Sequence, residues 1–208
     1  MSMHELRNIS LKLFEENIFP HIIGDLKILD SIQPQKHVNS CAVPTAMLIL
    51  SSLDFVGYLI RTEKNINESE KNITKALQYK EYFPKSIYSN DVIKILCRFY
   101  RHGMMHGFYP IQISNNIYGI HKSNDDDLFK NILNNSLYIK SLNVNVISND
   151  FKLFIDKLYD EIKTTTENKF LENINKGFKL IDQKELNFSI TTCSDTTIPI
   201  GIKMKNKF

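Results

Sequence analysis

The chain has few cysteines, and they are far apart. Cys41, Cys97 and Cys193 form no C-x-x-C pair in 208 residues, which argues against a disulfide framework and a cysteine zinc site. Residues 1–7 include acidic and polar side chains where a secretory signal needs an apolar run. We therefore expect a reducing, cytoplasmic environment.

Glycine is also scarce, and strong charge of one sign is missing. The seven glycines form no glycine-rich phosphate loop, and no complete set of metal ligands stands out, so we predict neither a cofactor nor a bound metal. The net charge of +3 permits nucleic-acid binding, but the chain has no basic stripe of the kind that dedicated nucleic-acid binders show.

The one long apolar run, Val43–Ile60, contains Pro44, Ser51, Ser52 and Asp54. A carboxylate near the middle of a bilayer costs several kcal/mol. The run therefore predicts a buried core helix, and we expect no membrane association.

Apolar spacing predicts helices over most of the first half of the chain. We expect a first helix that Pro20 ends, a short second helix, a long apolar helix over about 41–60, and an amphipathic helix over 65–83 that stops before Pro84. Ser89 or Asn90 can cap the next helix. The residues that carry the first two patterns are Leu6, Ile9, Leu13 and Phe14, then Ile22, Leu26 and Leu29.

After Gly107 the pattern changes to short strands. Isoleucines around Asn115-Asn116 are typical of a hairpin, residues 137–147 alternate as a strand, and Asp150 can cap a helix with an apolar stripe. We predict a mainly α fold, an antiparallel helical bundle with a small β hairpin or sheet appendage in the C-terminal half. One domain would cover 1–208, with a helical core over about 3–106 plus a helix over about 150–176, and β segments over about 110–147 and 187–204.

Arginine is rare except in one short stretch. The chain has four arginines and six histidines, and Arg98-Phe-Tyr-Arg-His-Gly-Met-Met-His106 contains two of each. Arginine offers a planar fork that suits phosphate or carboxylate, and histidine can move protons near neutral pH. We call Arg98, Arg101, His102 and His106 the Arg/His cluster. Together these residue types suit phosphodiester cleavage without a metal.

The six residues Arg101-His-Gly-Met-Met-His106 resemble the signature of the HEPN superfamily (higher eukaryotes and prokaryotes nucleotide-binding), in which an arginine, a polar residue, three further residues and a histidine follow one another. The apolar and aromatic helix that leads into the motif, Leu96-Cys-Arg-Phe-Tyr100, is also similar to the family. So is the segment from Leu142-Asn143 into the helix near Asp150. The resemblance covers roughly residues 41 to 165.

The resemblance implies a dimeric, metal-independent ribonuclease that leaves a 2′,3′-cyclic phosphate. It implies that Arg101, His106 and His102 are catalytic: His106 as general base or acid, Arg101 stabilising charge on the phosphoryl oxygens, and His102 orienting His106 or touching phosphate. Arg98 would be a second cation for the RNA. A toxin or defence protein of this kind would need an antitoxin or a regulatory partner.

Helix geometry complicates this assignment. Positions five apart on an ideal helix point about 140° away from each other, so Arg101 and His106 share a site only if Gly103 lets the helix deform or a second copy completes the site. Arg98, His102 and His106 are four apart and form a straighter stripe.

Other interpretations stay open. Arg101 can pair with an acid such as Asp54 and hold the bundle together with no chemistry, as in HEPN-like interaction modules. Asp54, which we predict supports the cluster, can instead lie on an exposed edge. Tyr109 and the pair Phe99-Tyr100 can stack bases or simply pack in a core. A metal bound by His102 and His106 would need a third ligand from His121, Cys97 or Asp54.

Overall fold

The computed structural model describes residues 1–32, 41–65, 67–107, 116–134 and 137–185. This part of the chain is mainly helical, with a small three-stranded mixed sheet in the C-terminal half, as predicted. The helices are α1 (Met3–Leu13), α2 (Gly24–Ser31), α3 (Ala42–Ile60), α4 (Ser69–Leu77), α5 (Asn90–Ile95), α6 (His102–Gly107), α7 (Val144–Thr164) and α8 (Asn168–Glu185), with π-helical segments over Phe14–Ile23 and Leu96–Arg101. The strands are β1 (Asn116–His121), β2 (Phe129–Asn134) and β3 (Leu137–Asn143).

The first helical stretch runs without a break through α1, the first π-helical segment and α2. Ser2 begins it with a capping box, since its Oγ accepts from the Glu5 N–H at 3.3 Å and its own N–H donates to Glu5 Oε2 at 2.7 Å. The predicted break at Pro20 is wrong, because Pro20 lies inside the π-helical segment. Hydrogen bonds there reach back five residues, which widens the turn where the proline ring would otherwise meet the carbonyl of residue i−4.

Helix α3 occupies the centre of the core and packs against α4, α7 and α8. Its length and composition alone would let it cross a membrane, and 61% of its apolar window is buried by the rest of the structure. Burial of this kind is typical of a core helix, and the absence of membrane association stays a prediction.

Several predicted boundaries after α3 are wrong. Helix α4 is shorter than the predicted 65–83 and ends at Leu77, because the chain turns at Lys80 and Glu81, whose φ angles are +44° and +58°. Its apolar residues Ile73 and Leu77 are buried, as an amphipathic helix requires.

The predicted strand over 137–147 ends at Asn143, and α7 begins at Val144 rather than near Asp150. The alternation of valine and asparagine imitates a strand, yet Val144, Ile147 and Phe151 share one buried helical face. The predicted helix over about 150–176 is two helices, α7 and α8, separated by residues 165–167.

The sheet has the order β1-β3-β2, with β3 in the middle. Strands β2 and β3 are antiparallel, with Phe129 opposite Leu142, whereas β1 and β3 are parallel, with Gly119 opposite Ser141. The described β residues therefore lie within 116–143. The predicted strands over 187–204 and the predicted hairpin arm before residue 116 lie outside the described residues.

Candidate functional site

The Arg/His cluster lies on one continuous helix, formed by α5, the second π-helical segment and α6. Ser89 begins the helix by accepting the Val92 N–H on its Oγ at 3.4 Å. In the π-helical segment the His102 N–H donates to the Cys97 carbonyl, five residues back. The helix is therefore distorted, but the distortion ends before Gly103, the position at which a deformation was predicted, and Gly103 itself lies in α6.

The distortion does not by itself bring Arg101 and His106 together. Arg101 is the last π-helical residue, and the five positions that follow to His106 belong to α6. The offset of about 140° between positions five apart therefore still applies to this pair. The His106 side chain and the whole of Tyr109 lie outside the described part of the structure.

Arg101 forms an ion pair with Asp54 of α3. Its Nη2 donates to Asp54 Oδ2 at 2.5 Å, and the side chains are 23% and 14% exposed. Partial burial strengthens such a pair because less water screens it. The predicted pairing of Asp54 with an arginine of the cluster is confirmed, and the alternative placement of Asp54 on an exposed edge is wrong.

The ion pair is the end of a longer chain of hydrogen bonds. Asp54 Oδ1 accepts from Asn72 Nδ2 at 2.8 Å, and Asn72 Oδ1 accepts from Arg61 Nη1 at 2.6 Å. Arg61 Nη2 then donates to Glu68 Oε2 at 2.7 Å. We call Arg101, Asp54, Asn72, Arg61 and Glu68 the polar chain. It runs from the cluster helix through the contact between α3 and α4.

Arg101 and His102 open onto a groove beside α4. The groove has a volume of about 800 Å³ and adjoins a second depression of about 330 Å³, which Arg98 and Cys97 also line. The Arg98 side chain is 63% exposed, and its Nε lies 3.8 Å from Glu70 Oε2. Basic side chains outnumber carboxylates in the groove, which favours an anionic ligand. The charged residues and the histidine that line it are Arg61, Glu68, Glu70, Lys71, Lys75, Arg101 and His102.

Two aromatic residues of the helix that carries the Arg/His cluster pack against the sheet. The ring of Phe99 stacks on Tyr118 of β1, with centroids 4.2 Å apart. Tyr100 is fully buried and its hydroxyl donates to the Lys140 carbonyl of β3 at 2.6 Å. These contacts confirm packing as the role of the pair, since neither ring faces the groove.

The three candidate third ligands for a metal do not converge. His121 Nδ1 is 2.8 Å from Ser141 Oγ on the sheet, and Asp54 is occupied by Arg101 and Asn72. Burial raises the pKa of the Cys97 thiol to about 12, which keeps it protonated and a poor ligand. Within the described ranges no three His, Cys, Asp or Glu side chains come together to hold a metal ion.

Sequence reasoning missed Asn72, Arg61 and Glu70. Arg61 had a usable signal, because it is one of four arginines and directly follows the apolar helix. Asn72 had none, since an asparagine in an amphipathic helix is normally exposed, and only the structure places it at 0% exposure.

No protein-family model, curated protein or solved structure matches the chain.

Proposed function

We propose that the protein is a HEPN-like, metal-independent endoribonuclease of the toxin or defence type, with an antiparallel HEPN-like helical bundle as its scaffold. The observation that supports this most is that Arg101 and His102 of the motif open together onto one groove of positive character, which Arg98 extends. A phosphodiester backbone has the charge that such a groove attracts. We propose that the protein acts in the cytoplasm and is held in check by an antitoxin or regulatory protein.

The chemistry is an internal transesterification. A base removes the proton of an RNA 2′-hydroxyl, the 2′-oxygen attacks the adjacent phosphorus, and the 5′-oxygen leaves with a proton from an acid. The products are a 2′,3′-cyclic phosphate and a 5′-hydroxyl. His106 is the base or the acid, because an imidazole near pKa 6.5 exchanges protons readily near neutral pH.

Arg101 stabilises the charge that develops on the phosphoryl oxygens. A guanidinium has five N–H donors, and Asp54 accepts from Nη2. A pre-oriented cation in a partly buried site is worth more than one in water, because it needs no reorganisation as the reaction proceeds. Arg98, on the rim, binds a neighbouring phosphate.

The test is cleavage of mixed cellular RNA by the purified protein in excess EDTA. We expect wild-type cleavage, and a loss of at least about 100-fold in Arg101→Lys and His106→Ala. The lysine keeps a positive charge for Asp54 but lacks the planar fork. His4→Ala is the matched control and should cleave normally, since His4 lies in α1, where its Nε2 is 3.1 Å from Asn8 Nδ2 in an exposed hydrogen bond.

Two further observations decide the mechanism. The same RNA with 2′-O-methyl groups should resist cleavage, and the product ends should be cyclic phosphates. Absence of cleavage across many RNAs, or equal cleavage by wild type and both variants, would refute the nuclease.

A second function is favoured by the ion pair itself. Because Arg101 joins the cluster helix to α3 through Asp54, the motif can serve a HEPN-like interaction or nucleic-acid-binding module without catalysis. This alternative predicts that wild type leaves every RNA intact and that Arg101→Lys changes only the free energy of unfolding or the affinity for RNA.

A further inference from the structure

We propose that Asn72 is a positioning residue for Arg101, acting through Asp54, with Arg61 fixing the direction of its amide. The catalytic consequence rests on the proposed function; the positioning itself does not. The juxtaposition that carries the inference is the polar chain, in which the side chain of Asn72 bridges an anion on one side and a cation on the other.

The chemistry of the two neighbours fixes which way the Asn72 amide points. A guanidinium can only donate and a carboxylate can only accept. The Asn72 oxygen must therefore face Arg61 Nη1, at 2.6 Å, and its nitrogen must face Asp54 Oδ1, at 2.8 Å. A flipped amide would set two donors against each other at one end and two acceptors at the other. The hydrogen-bond partners of the Asn72 amide therefore fix its orientation.

The backbone of Asn72 is held as firmly as its side chain. A Cβ built on Gly57 of α3 would lie 1.9 Å from the Asn72 carbonyl oxygen, so the two helices touch backbone to backbone at this point. Asn72 is 0% exposed and Arg61 8% exposed. Hydrogen bonds are stronger in such surroundings than in water, and a buried partner that is lost is costly.

Asn72 restrains Arg101 through the carboxylate of Asp54, which both residues contact. Asn72 binds one oxygen of Asp54, which leaves the other, Oδ2, directed at Arg101 Nη2 at 2.5 Å. Arg101 Nε is buried without a hydrogen-bond partner, and the described hydrogen bond that orients the guanidinium is the one from Nη2 to Asp54. Without Asn72, Asp54 can rotate, and the guanidinium loses its fixed orientation.

Arginine side-chain NMR tests the proposal without any need for activity. The chain has only four arginines, so a ¹⁵N spectrum contains four Nε–Hε signals, which can be assigned by Arg→Lys variants. We expect the buried Arg101 Nε–H to exchange slowly with water in wild type, and at least about tenfold faster in Asn72→Ala. Arg7 is an internal reference, because its Nε is also buried without a partner and its guanidinium contacts Thr165 instead.

The matched control is Asn175→Ala on α8. Asn175 is another buried asparagine, 3% exposed, and its amide donates to Leu6, Ser10 and Leu171 rather than to the polar chain. We expect this variant to lose stability and leave the Arg101 signal unchanged. If Asn72→Ala does not fold, Asn72→Asp is measured by the same criterion, because it keeps the side-chain size and the acceptor for Arg61 but cannot donate to Asp54.

An Arg101 signal that is unchanged in the folded Asn72 variant, or one that changes equally in Asn175→Ala, would overturn the proposal. Activity then separates this inference from the proposed function. If wild type cleaves RNA, Asn72→Ala should lower kcat at least fivefold with KM within about twofold. If wild type is inactive, the ribonuclease proposal fails while the NMR result still decides the positioning.

Discussion

At the scale of single residues, the absence of one side chain at Gly57 brings α3 and α4 into backbone contact. The Asn72 carbonyl occupies the space where a Cβ would lie, at 1.9 Å. No side chain could move aside to relieve such a contact, because both partners are helical backbone. Packing therefore requires glycine at this position. A glycine within a helix costs about 1 kcal/mol of stability relative to alanine, and the close contact between the helices outweighs that cost.

We expect Gly57→Ala to lower the free energy of unfolding by about 2–3 kcal/mol, because the helices must separate to admit the methyl group. Gly24→Ala is the control, since the nearest atom to its Cβ would be the Phe19 carbonyl oxygen at 3.5 Å, an ordinary contact. That variant should be neutral or up to about 1 kcal/mol more stable. Urea unfolding measures both. Equal effects at the two glycines would contradict the close helix contact.

The carboxyl group of Asp150 gives a prediction about pH. Burial raises its pKa above the usual value of 3.8, against the opposing effect of the Tyr88 hydroxyl, which donates to Asp150 Oδ2 at 2.7 Å. The folded state therefore binds a proton that the unfolded state has released, and this contribution to stability is lost as pH rises through the folded pKa.

Relative to Asp150→Asn, wild type should lose stability as pH rises from about 3.5 towards 7, and the difference should become constant above the folded pKa. The substituted amide keeps an acceptor for Tyr88 and does not titrate. Unfolding curves of the two proteins at several pH values measure the difference. A difference that grows in favour of wild type with rising pH would show that the pKa is lowered instead.

At the scale of elements, the sequence predicted a helix correctly where the apolar residues form a long, uninterrupted run or face, as in α3 and the buried face of α7. The prediction failed where a local signal, such as a proline or a short alternation, suggested a structure that the hydrogen bonds of the folded chain do not adopt. Pro20 breaks an α-helix but not a π-helical one. Two-residue alternation at 143–147 suits a strand as well as a helix start, and the hydrogen bonds of Asn143 decide the outcome.

Asn143 joins three elements through one buried side chain. Its Oδ1 accepts from the backbone N–H groups of Asn145 and Ser123, each at 3.2 Å, and so begins α7. Its Nδ2 donates to the carbonyls of Ser123 and Asp125 at 3.2 and 2.9 Å. The end of β3, the start of α7 and the loop after β1 are therefore held by the same amide.

Asn143→Ala should lower the free energy of unfolding by about 2–4 kcal/mol, because it removes a helix cap and leaves buried backbone groups without partners. Asn143→Asp keeps the acceptor for the helix start but loses both donors, so its stability should lie between those of wild type and the alanine variant. Backbone amide exchange would locate the loss in residues 123–125. An alanine variant as stable as wild type would show that the hydrogen bonds of Asn143 contribute nothing.

The sequence likewise identified some residues of the candidate site and missed others. The sequence identified Arg101, His102 and Asp54 because arginine is rare in this chain and because a carboxylate stands out in an apolar helix. It could not identify Asn72, since the hydrogen bond joins Asn72 to Asp54, 18 residues away on another helix, and leaves no pattern in the local sequence. The pairing depends on the backbone contact at Gly57, which exists only in the folded molecule.

At the scale of the whole molecule, the offset between Arg101 and His106 makes the number of chains in the active unit decisive. A site that takes Arg101 from one copy and His106 from another needs no further distortion of α6. Symmetric dimers are the commonest assembly of soluble proteins, and each would contain two such sites.

We expect a dimer in sedimentation experiments at micromolar concentration, and recovery of activity when Arg101→Lys and His106→Ala chains are mixed. Random exchange would give half mixed dimers, each with one intact site of two, so activity should return to roughly a quarter of the wild-type value. A monomer at high micromolar concentration, or no recovery after subunit exchange, would place both residues in one chain.

The second π-helical segment, Leu96–Arg101, also affects how this chain should be compared with relatives. A π-helical turn contains one residue more than the α-helical turn it replaces. A relative with an ordinary helix here would align with this chain only through a one-residue gap inside the helix. Without that gap, the position equivalent to Arg101 would be assigned to its neighbour, and a shared motif would be overlooked.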